Sequence, residues 1–242
     1  MNRYISGIWK WSDHMKLPMV EIFETVEGEG LRAGFPTTFV RVFNCNLRCT
    51  WCDTTYSYAP SKAEFYATVE EIVQKVTELG NVNVCLTGGE PLMHGEKSLK
   101  LIEELANLSF IEDIHIETNG AIALDPFVEL RKSNENVGNK MRFIMDYKLP
   151  ASGEIDKMIE ENFNLLDHQD EIKFVVQDRN DYDVAVHTYK NLHRKGTGLF
   201  SPVWGKLAPD TLVNWILADK LTKVKLNLQT HKYIWDPDLR GV

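Results

Sequence analysis

The chain has 242 residues, 43% of them hydrophobic, and a formal net charge of −8. That apolar content supports a real core, and the length fits one α/β domain of barrel size or two small domains. No apolar run reaches the roughly eighteen residues a membrane-crossing helix needs, and the acidic balance leaves no basic footprint, so neither membrane insertion nor direct binding of DNA or RNA is expected.

Four cysteines, three of them clustered, do not make a disulfide framework, and a reducing, cytoplasmic compartment is expected. The opening segment, residues 1–18, mixes Trp9, Lys10, Trp11, Asp13 and His14 and lacks the apolar core of a secretory signal. It is expected to be an arm that packs on a second subunit of a homodimer.

In chain order the pattern predicts a strand over 38–43, a helix over 69–79, a strand over 82–87 and a helix over 97–108. A strand over 113–117, a short helix over 125–131 and a strand over 142–147 follow. Then come a helix over 154–162, a strand over 171–176, a helix over 182–192, a strand over 199–203 and a helix over 209–217, with a last strand over 223–228. That is six βα-like units in one domain, residues 19–242, around a largely parallel sheet. In such α/β folds the loops at the carboxyl ends of the strands build the site.

Cys45, Cys49 and Cys52 carry most of the chemical information. Three thiolates with no obvious fourth would leave one iron of an iron–sulfur cubane without a protein ligand, as a catalytic zinc keeps an open position. Two other readings compete. The spacing i, i+4, i+7 also falls on one helix face, although Asn44, Asn46, Asp53, Thr54 and Thr55 around it favour turns and caps. A zinc site would need a fourth ligand, from Cys85 or His94 at a distance. Cys85 itself, inside an apolar strand, reads as a small core hydrophobe.

Gly88-Gly89-Glu90-Pro91 follows the predicted strand over 82–87. Two glycines permit close backbone approach to a ligand, and an ordinary strand–turn–helix connection is the plainer alternative. Glu117-Thr118-Asn119-Gly120 and Asp146-Tyr147-Lys148 end the next two strands. A simple turn accounts for the first equally well, whereas the rim position of the second favours a ligand contact over a strand-end salt bridge.

The Cys-x3-Cys-x2-Cys spacing resembles the signature of the radical S-adenosylmethionine (SAM) enzymes. Glu27-Gly28-Glu29-Gly30, then Asp53-Thr54-Thr55-Tyr56 after the third cysteine, and Gln229-Thr230-His231-Lys232 near the end narrow the likeness. From about Val20 onward the chain resembles the 7-carboxy-7-deazaguanine synthase family. The resemblance implies a partial (β/α) barrel of about six strands, a [4Fe–4S] cluster on Cys45, Cys49 and Cys52, bound SAM, and Mg²⁺. SAM would chelate the open iron, and one electron would break a carbon–sulfur bond to give a 5′-deoxyadenosyl radical that takes a hydrogen atom from substrate. The implied substrate is 6-carboxy-5,6,7,8-tetrahydropterin, whose ring contracts with loss of ammonia, a carbon–nitrogen lyase reaction of queuosine or related deazapurine biosynthesis. A reductant such as flavodoxin or ferredoxin is implied too.

Carried over residue by residue, SAM contacts are expected from Trp51, Cys52 and Asp53, from Gly89 and Glu90, and from Glu117 and Asn119. Asp146, Tyr147 and Lys148 are expected to join them, with Ser201, Pro202, Val203 and Trp204 beside the adenosine. Thr54 matches the magnesium ligand, the remaining ligands coming from substrate oxygens and water. Arg41 would pair with the substrate carboxylate in a bidentate fork. Carbonyls around Val26, Glu27 and Gly28, or the Glu29 carboxylate, would accept from ring N–H donors. Thr87, Gln229, His231 and the terminal carboxylate of Val242 complete the expected substrate contacts. Two places depart from the family: glutamine is usual where Glu27 stands, and residues 201–204 differ from the common wording of that loop. The rival readings are a glycyl-radical-activating or other radical SAM enzyme, and a non-catalytic iron–sulfur electron carrier.

Overall fold

The computed structural model describes residues 16–242. Strand β1 (Leu17–Val26) runs antiparallel to β2 (Pro36–Val42) on one side and to β3 (Phe65–Ala67) on the other. Helix α1 (Val69–Leu79), β4 (Asn83–Gly88), α2 (Glu96–Asn107) and β5 (Asp113–Thr118) follow. After α3 (Asp125–Ser133) and α4 (Glu135–Lys140) come β6 (Met141–Asp146), β7 (Glu171–Val176) and α5 (Arg179–Leu192). The chain closes with β8 (Thr197–Pro202), α6 (Pro209–Ala218), β9 (Val224–Leu226) and α7 (His231–Ile234).

Among the described residues these strands form one nine-stranded sheet, in the order β3-β1-β2-β4-β5-β6-β7-β8-β9, parallel from β2 onward. The expected partial barrel is therefore present, with six long parallel strands, a short β9 and an antiparallel addition at the β1 edge. Central strands such as β4, β5 and β6 are almost wholly buried, as parallel strands covered by helices must be. Ile72 and Val76 of α1 and Leu101, Ile102 and Leu105 of α2 share the core with Val40, Val84 and Ile114 of the sheet. Helix α1 starts on a reciprocal capping box between Thr68 and Glu71 and stops at Gly80, whose positive φ returns its N–H to Val76. No helix among the described residues is long and apolar enough to cross a membrane.

Three differences from the sequence reading are informative. Strand β1 was not expected, because Glu21 and Glu24 interrupt its apolar run; pairing at the antiparallel edge tolerates them. Leu17 and Pro18 thus belong to the sheet, and residues 1–15 of the expected arm lie outside the described residues. The helix expected over 154–162 is instead two 3-10 turns, Ile155–Lys157 and Glu160–Asn164, parted by extended Met158 and Ile159. Tertiary hydrogen bonds decide this: the Asn162 side chain accepts from Leu124 N at 3.1 Å and donates to the Gly120 and Ile122 carbonyls at 3.1 and 2.9 Å.

Candidate active site

Strand β2 delivers the chain into the cysteine loop, which is not helical. Asn44 turns it at a φ of 90°, Leu47 N donates to Cys45 Sγ at 3.4 Å, and Cys52 N donates to the Cys49 carbonyl at 3.2 Å. Gly89, at the end of the neighbouring strand, presses on this turn. A Cβ there would lie 2.0 Å from the Asn44 carbonyl oxygen and 2.9 Å from Cys45 Cβ, so only glycine fits.

The three thiols line one cavity of about 470 Å³. Among the described residues the His/Cys/acid trio gathered within 4.8 Å is Glu27, Cys85 and His115, so the three cysteine sulfurs are spread more widely. Zinc–sulfur bonds of about 2.3 Å would require the sulfurs to gather closer than that. His94 Nε2 is bonded to the Phe43 carbonyl at 3.0 Å and Cys85 belongs to the other trio, so neither closes a four-ligand site. Burial pushes the Cys49 thiol up to about 11, with the Lys148 ammonium opposing it, and burial raises Cys45 as well. Thiols in this setting ionise together only around a compensating cation, which iron would supply. The donor set fits a three-thiolate [4Fe–4S] cluster.

The ends of β5 and β6 continue the wall. Lys148 Nζ pairs with Asp146 Oδ2 at 2.7 Å and sits 5.1 Å over the Trp51 ring. Among the described residues, Asp146 Oδ1 and Trp51 Nε1 are buried without a hydrogen-bond partner. An unmet acceptor and an unmet donor in one cavity wall fit a polar ligand such as SAM. Cys52, Asp53, Gly89, Glu117, Asn119, Val203 and Trp204 line the same space.

Four expected contacts do not reach it. Glu90 lies beneath the wall, where its carboxylate accepts from Asn119 N at 2.7 Å, Leu92 N at 2.9 Å and Thr118 Oγ1 at 3.0 Å. Burial pushes that carboxyl up to about 7 against these donors. Tyr147 packs in the core against Phe163 and Phe174. Ser201 accepts from Asn227 Nδ2 at 2.9 Å, and Pro202 ends β8 in the buried interior. Val203 and Trp204, beyond the end of β8, do reach the rim.

The rest of the wall comes from the β1–β2 connection and the C-terminal segment. Val26, Glu27, Gly28, Glu29, Arg41, Thr87, Gln229, His231 and Val242 all line the cavity. Glu21 holds Arg41 by its Nε at 2.8 Å, and among the described residues the Arg41 Nη atoms make no hydrogen bond. The Gly28 carbonyl accepts from both Thr230 N at 2.9 Å and Thr230 Oγ1 at 3.0 Å, and the Glu27 carbonyl accepts from Gly34 N at 2.7 Å. These carbonyls serve the chain's own closure, and the Glu29 carboxylate accepts from Asn227 Nδ2 at 3.1 Å while keeping further lone pairs for a ligand. A Cβ on Gly28 would lie 2.1 Å from His231 Nδ1, so this closure also demands glycine. Thr54 lines the cavity and donates through Oγ1 to Asp53 Oδ1 at 3.0 Å.

Sequence reasoning missed three residues here. Lys232 Nζ bonds Asp53 Oδ2 at 3.0 Å; desolvation works to raise the Asp53 carboxyl, but Lys232 outweighs it and holds the group down to about 2. Arg240 stacks 3.6 Å over the Tyr56 ring. Lys173 on β7 reaches Glu117 at 3.0 Å and Glu29 at 3.6 Å; burial disfavours its charge, but these carboxylates keep it an ammonium. A lysine inside the buried run Glu171–Val176 was the available signal, because ionisable groups in central strands are rare without a task.

The radical SAM superfamily model matches residues 40–138. Over 233 residues the chain is 39% identical to a 7-carboxy-7-deazaguanine synthase of Clostridium acetobutylicum, covering 94% of this chain and 100% of that protein. A synthase of the same name from Leptospira interrogans is 36% identical over 249 residues, covering 95% and 100%. Among solved structures, QueE from Escherichia coli matches with a TM-score of 0.68 at 20% identity, over 91% of this chain and 97% of that one. Streptococcus suis SuiB bound to S-adenosylmethionine matches with a TM-score of 0.51 at 15% identity, over 77% and 48%. Those two likenesses concern the fold, whereas the near-full-length identity to the synthases reaches further: the chain is a member of the 7-carboxy-7-deazaguanine synthase family, within the radical SAM superfamily.

Proposed function

We propose that the chain converts 6-carboxy-5,6,7,8-tetrahydropterin to 7-carboxy-7-deazaguanine and ammonia, as a carbon–nitrogen lyase using a [4Fe–4S] cluster, SAM and Mg²⁺. The observation that carries this reading is the shared cavity, in which three free thiols meet polar atoms of Trp51 and Asp146 and Arg41 Nη atoms that find no partner among the described residues. When bound, the cluster and SAM supply the one-electron chemistry that removes a hydrogen atom from the substrate.

Each protein group then has a definable task. Cys45, Cys49 and Cys52 hold the cluster. Trp51, Asp146 and Lys148 orient SAM, with Asp53, Gly89, Glu117, Asn119, Val203 and Trp204 completing its wall. Glu90, Tyr147, Ser201 and Pro202 act from below, by fixing the loops that do touch it. Arg41 takes the substrate carboxylate, and Glu29 accepts from the pterin N–H edge. Val26, Thr87, Gln229, His231 and Val242 enclose the ring. Thr54 contributes one magnesium ligand, beside substrate oxygens and water. A flavodoxin- or ferredoxin-class reductant and a cytoplasmic homodimer belong to the same proposal.

Residues 237–239, 241 and 242 line the cavity, which favours a small molecule over the protein loop of a glycyl-radical substrate. The test is anaerobic reconstitution followed by turnover of carboxytetrahydropterin with SAM and a reductant. Mass spectrometry should show the deazaguanine acid and one ammonia per substrate. A fully loaded enzyme that cleaves SAM yet never forms that acid would refute the assignment.

A further inference from the structure

This inference rests on reading the cavity as the carboxytetrahydropterin site, and it concerns a residue outside the cavity wall. Beneath the β1–β2 connection, charged side chains from β5, β6 and β7 form a row in the interior, where unpaired charge is costly. Glu27 Oε2 meets His115 Nε2 at 2.6 Å, and His115 Nδ1 meets Asp113 Oδ2 at 2.8 Å. Asp113 Oδ1 accepts from Arg142 Nε at 2.7 Å, and Arg142 Nη1 bonds Glu171. Glu171 Oε2 then accepts from Leu31 N at 2.9 Å. The row begins and ends on the same short loop, residues 27–31. Two further ties reinforce it: Glu29 N donates to Glu27 Oε1 at 3.2 Å, and Arg32 Nε lies 3.6 Å from Asp113 Oδ1. His115 is fully buried and does not line the cavity, while Glu27 and Glu29 do.

We propose that His115 is the positioning residue of the substrate rim: its ring, clamped between Asp113 and Glu27, sets the conformation of residues 27–31 and so the place of Glu29 against the substrate.

The protonation of the ring follows from its neighbours. Both ring nitrogens face carboxylate oxygens, which accept only, so both carry hydrogen and the ring is an imidazolium. The charges then balance, with Glu27, Asp113 and Glu171 against Arg32, Arg142 and His115. Burial pushes the thiol of Cys85, beside the ring on β4, up to about 11, so it stays neutral. Lys173 and Glu117, charged neighbours from β7 and β5, are paired with each other. Of the three carboxylates, Glu27 alone sits on a loop, since Asp113 and Glu171 are on strands. Loss of the imidazolium leaves Glu27 and Asp113 uncompensated, and the strain resolves by moving Glu27 and the loop with it. Displacements of this kind reach substrate alignment without touching the cluster.

The experiment compares His115→Asn, Glu27→Gln and their combination in the anaerobically reconstituted holoenzyme. Kinetics with carboxytetrahydropterin are read beside SAM affinity and amide hydrogen exchange at residues 29–31. In His115→Asn the pterin KM should rise about tenfold or more, exceeding any fall in kcat, with SAM affinity within about twofold and faster exchange at 29–31. Glu27→Gln keeps the side-chain shape and is the variant expected to fold in any case; it should raise KM only about threefold. The double variant, with the stranded charge removed, should recover most of the loss seen in His115→Asn. Unchanged KM and exchange in His115→Asn, or no recovery in the double variant, overturns the clamp. Should His115→Asn fail to load its cluster, an unaltered KM and unaltered exchange in Glu27→Gln overturn it instead. If the parent never turns over the pterin, the proposed function falls, yet exchange at 29–31 still decides whether His115 holds the loop.

Discussion

The side of the cavity that carries the thiols and the side that encloses the substrate are held together differently. On the thiol side the ties join strand ends between β2 and β6, with Arg48 N donating to Glu154 Oε1 and Thr50 Oγ1 to the Ala151 carbonyl, each at 2.6 Å, as the longest reach. Glu90 binds Asn119 and Thr118, Asn119 Nδ2 donates to Asn46 Oδ1 at 2.8 Å, and Gly89 abuts Asn44. A parallel sheet brings such ends together as a consequence of strand order alone. On the substrate side the ties span most of the chain. Gly30 N donates to Asn227 Oδ1 at 2.8 Å, Thr230 closes on Gly28, Lys232 on Asp53, and Arg240 on Tyr56. That side forms only when both ends of the chain are in place. Damage to the first side should therefore remove the cofactor, and damage to the second should shift the handling of substrate.

The largest effect tests the first half of that contrast. Alanine at Cys45, Cys49 or Cys52 should abolish cluster loading and activity together, whereas Cys85→Ala should reconstitute with parental iron content. Loss of iron in Cys85→Ala would show that the thiol side is not self-contained.

A pH effect of intermediate size sharpens it. Burial raises the Glu90 carboxyl from an ordinary value near 4.5 to about 7. A raised acid favours the folded state fully below its unfolded value, and that advantage is lost as pH climbs through the folded one. The apoprotein should thus lose on the order of 2–3 kcal/mol between about pH 4.5 and pH 7. Glu90→Gln should flatten that part of the profile in denaturant titrations. Parallel profiles for parent and variant would mean that the three donors keep Glu90 ionised.

Thr54→Ala should weaken the response to Mg²⁺ by up to about tenfold while leaving SAM affinity nearly unchanged, because one ligand of a partly substrate-built site disappears. Superimposable magnesium titrations would dismiss that ligand. The smallest effect belongs to the C-terminal tie. Arg240→Ala removes an exposed cation–π contact worth about 0.5–1 kcal/mol, so KM for the pterin should rise about two- to fivefold with kcat and SAM affinity held. A defect in iron loading instead would erase the distinction between the two sides.

Much of this was legible in the sequence, though unevenly. The parallel strands were readable because buried strands are continuous apolar runs between turn signals, and the range predicted for α1 coincides with Val69–Leu79. The glycine at position 89 was readable as a close approach, though not as an approach to Asn44 and Cys45 in particular. Strand β1 was obscured by Glu21 and Glu24, whose tasks are tertiary: Glu21 holds Arg41, and Glu24 accepts from Asn81. The segment over 154–162 looked helical because local propensity cannot register the bonds of Asn162 to residues about forty positions away.

By itself the sequence determined the cysteine spacing, the βα alternation and the strand-end position of each motif, since covalent order and short-range periodicity suffice for these. Tertiary structure alone decided that Glu90 lies under the cavity rather than in it, and that the Gly28 carbonyl closes on Thr230. It also decided that Lys173, Lys232 and Arg240 belong to the site, and that Glu27 is held by His115. Each depends on which side chains meet across long sequence separations, and such meetings are fixed by packing and charge compensation in the folded interior, which no local pattern encodes.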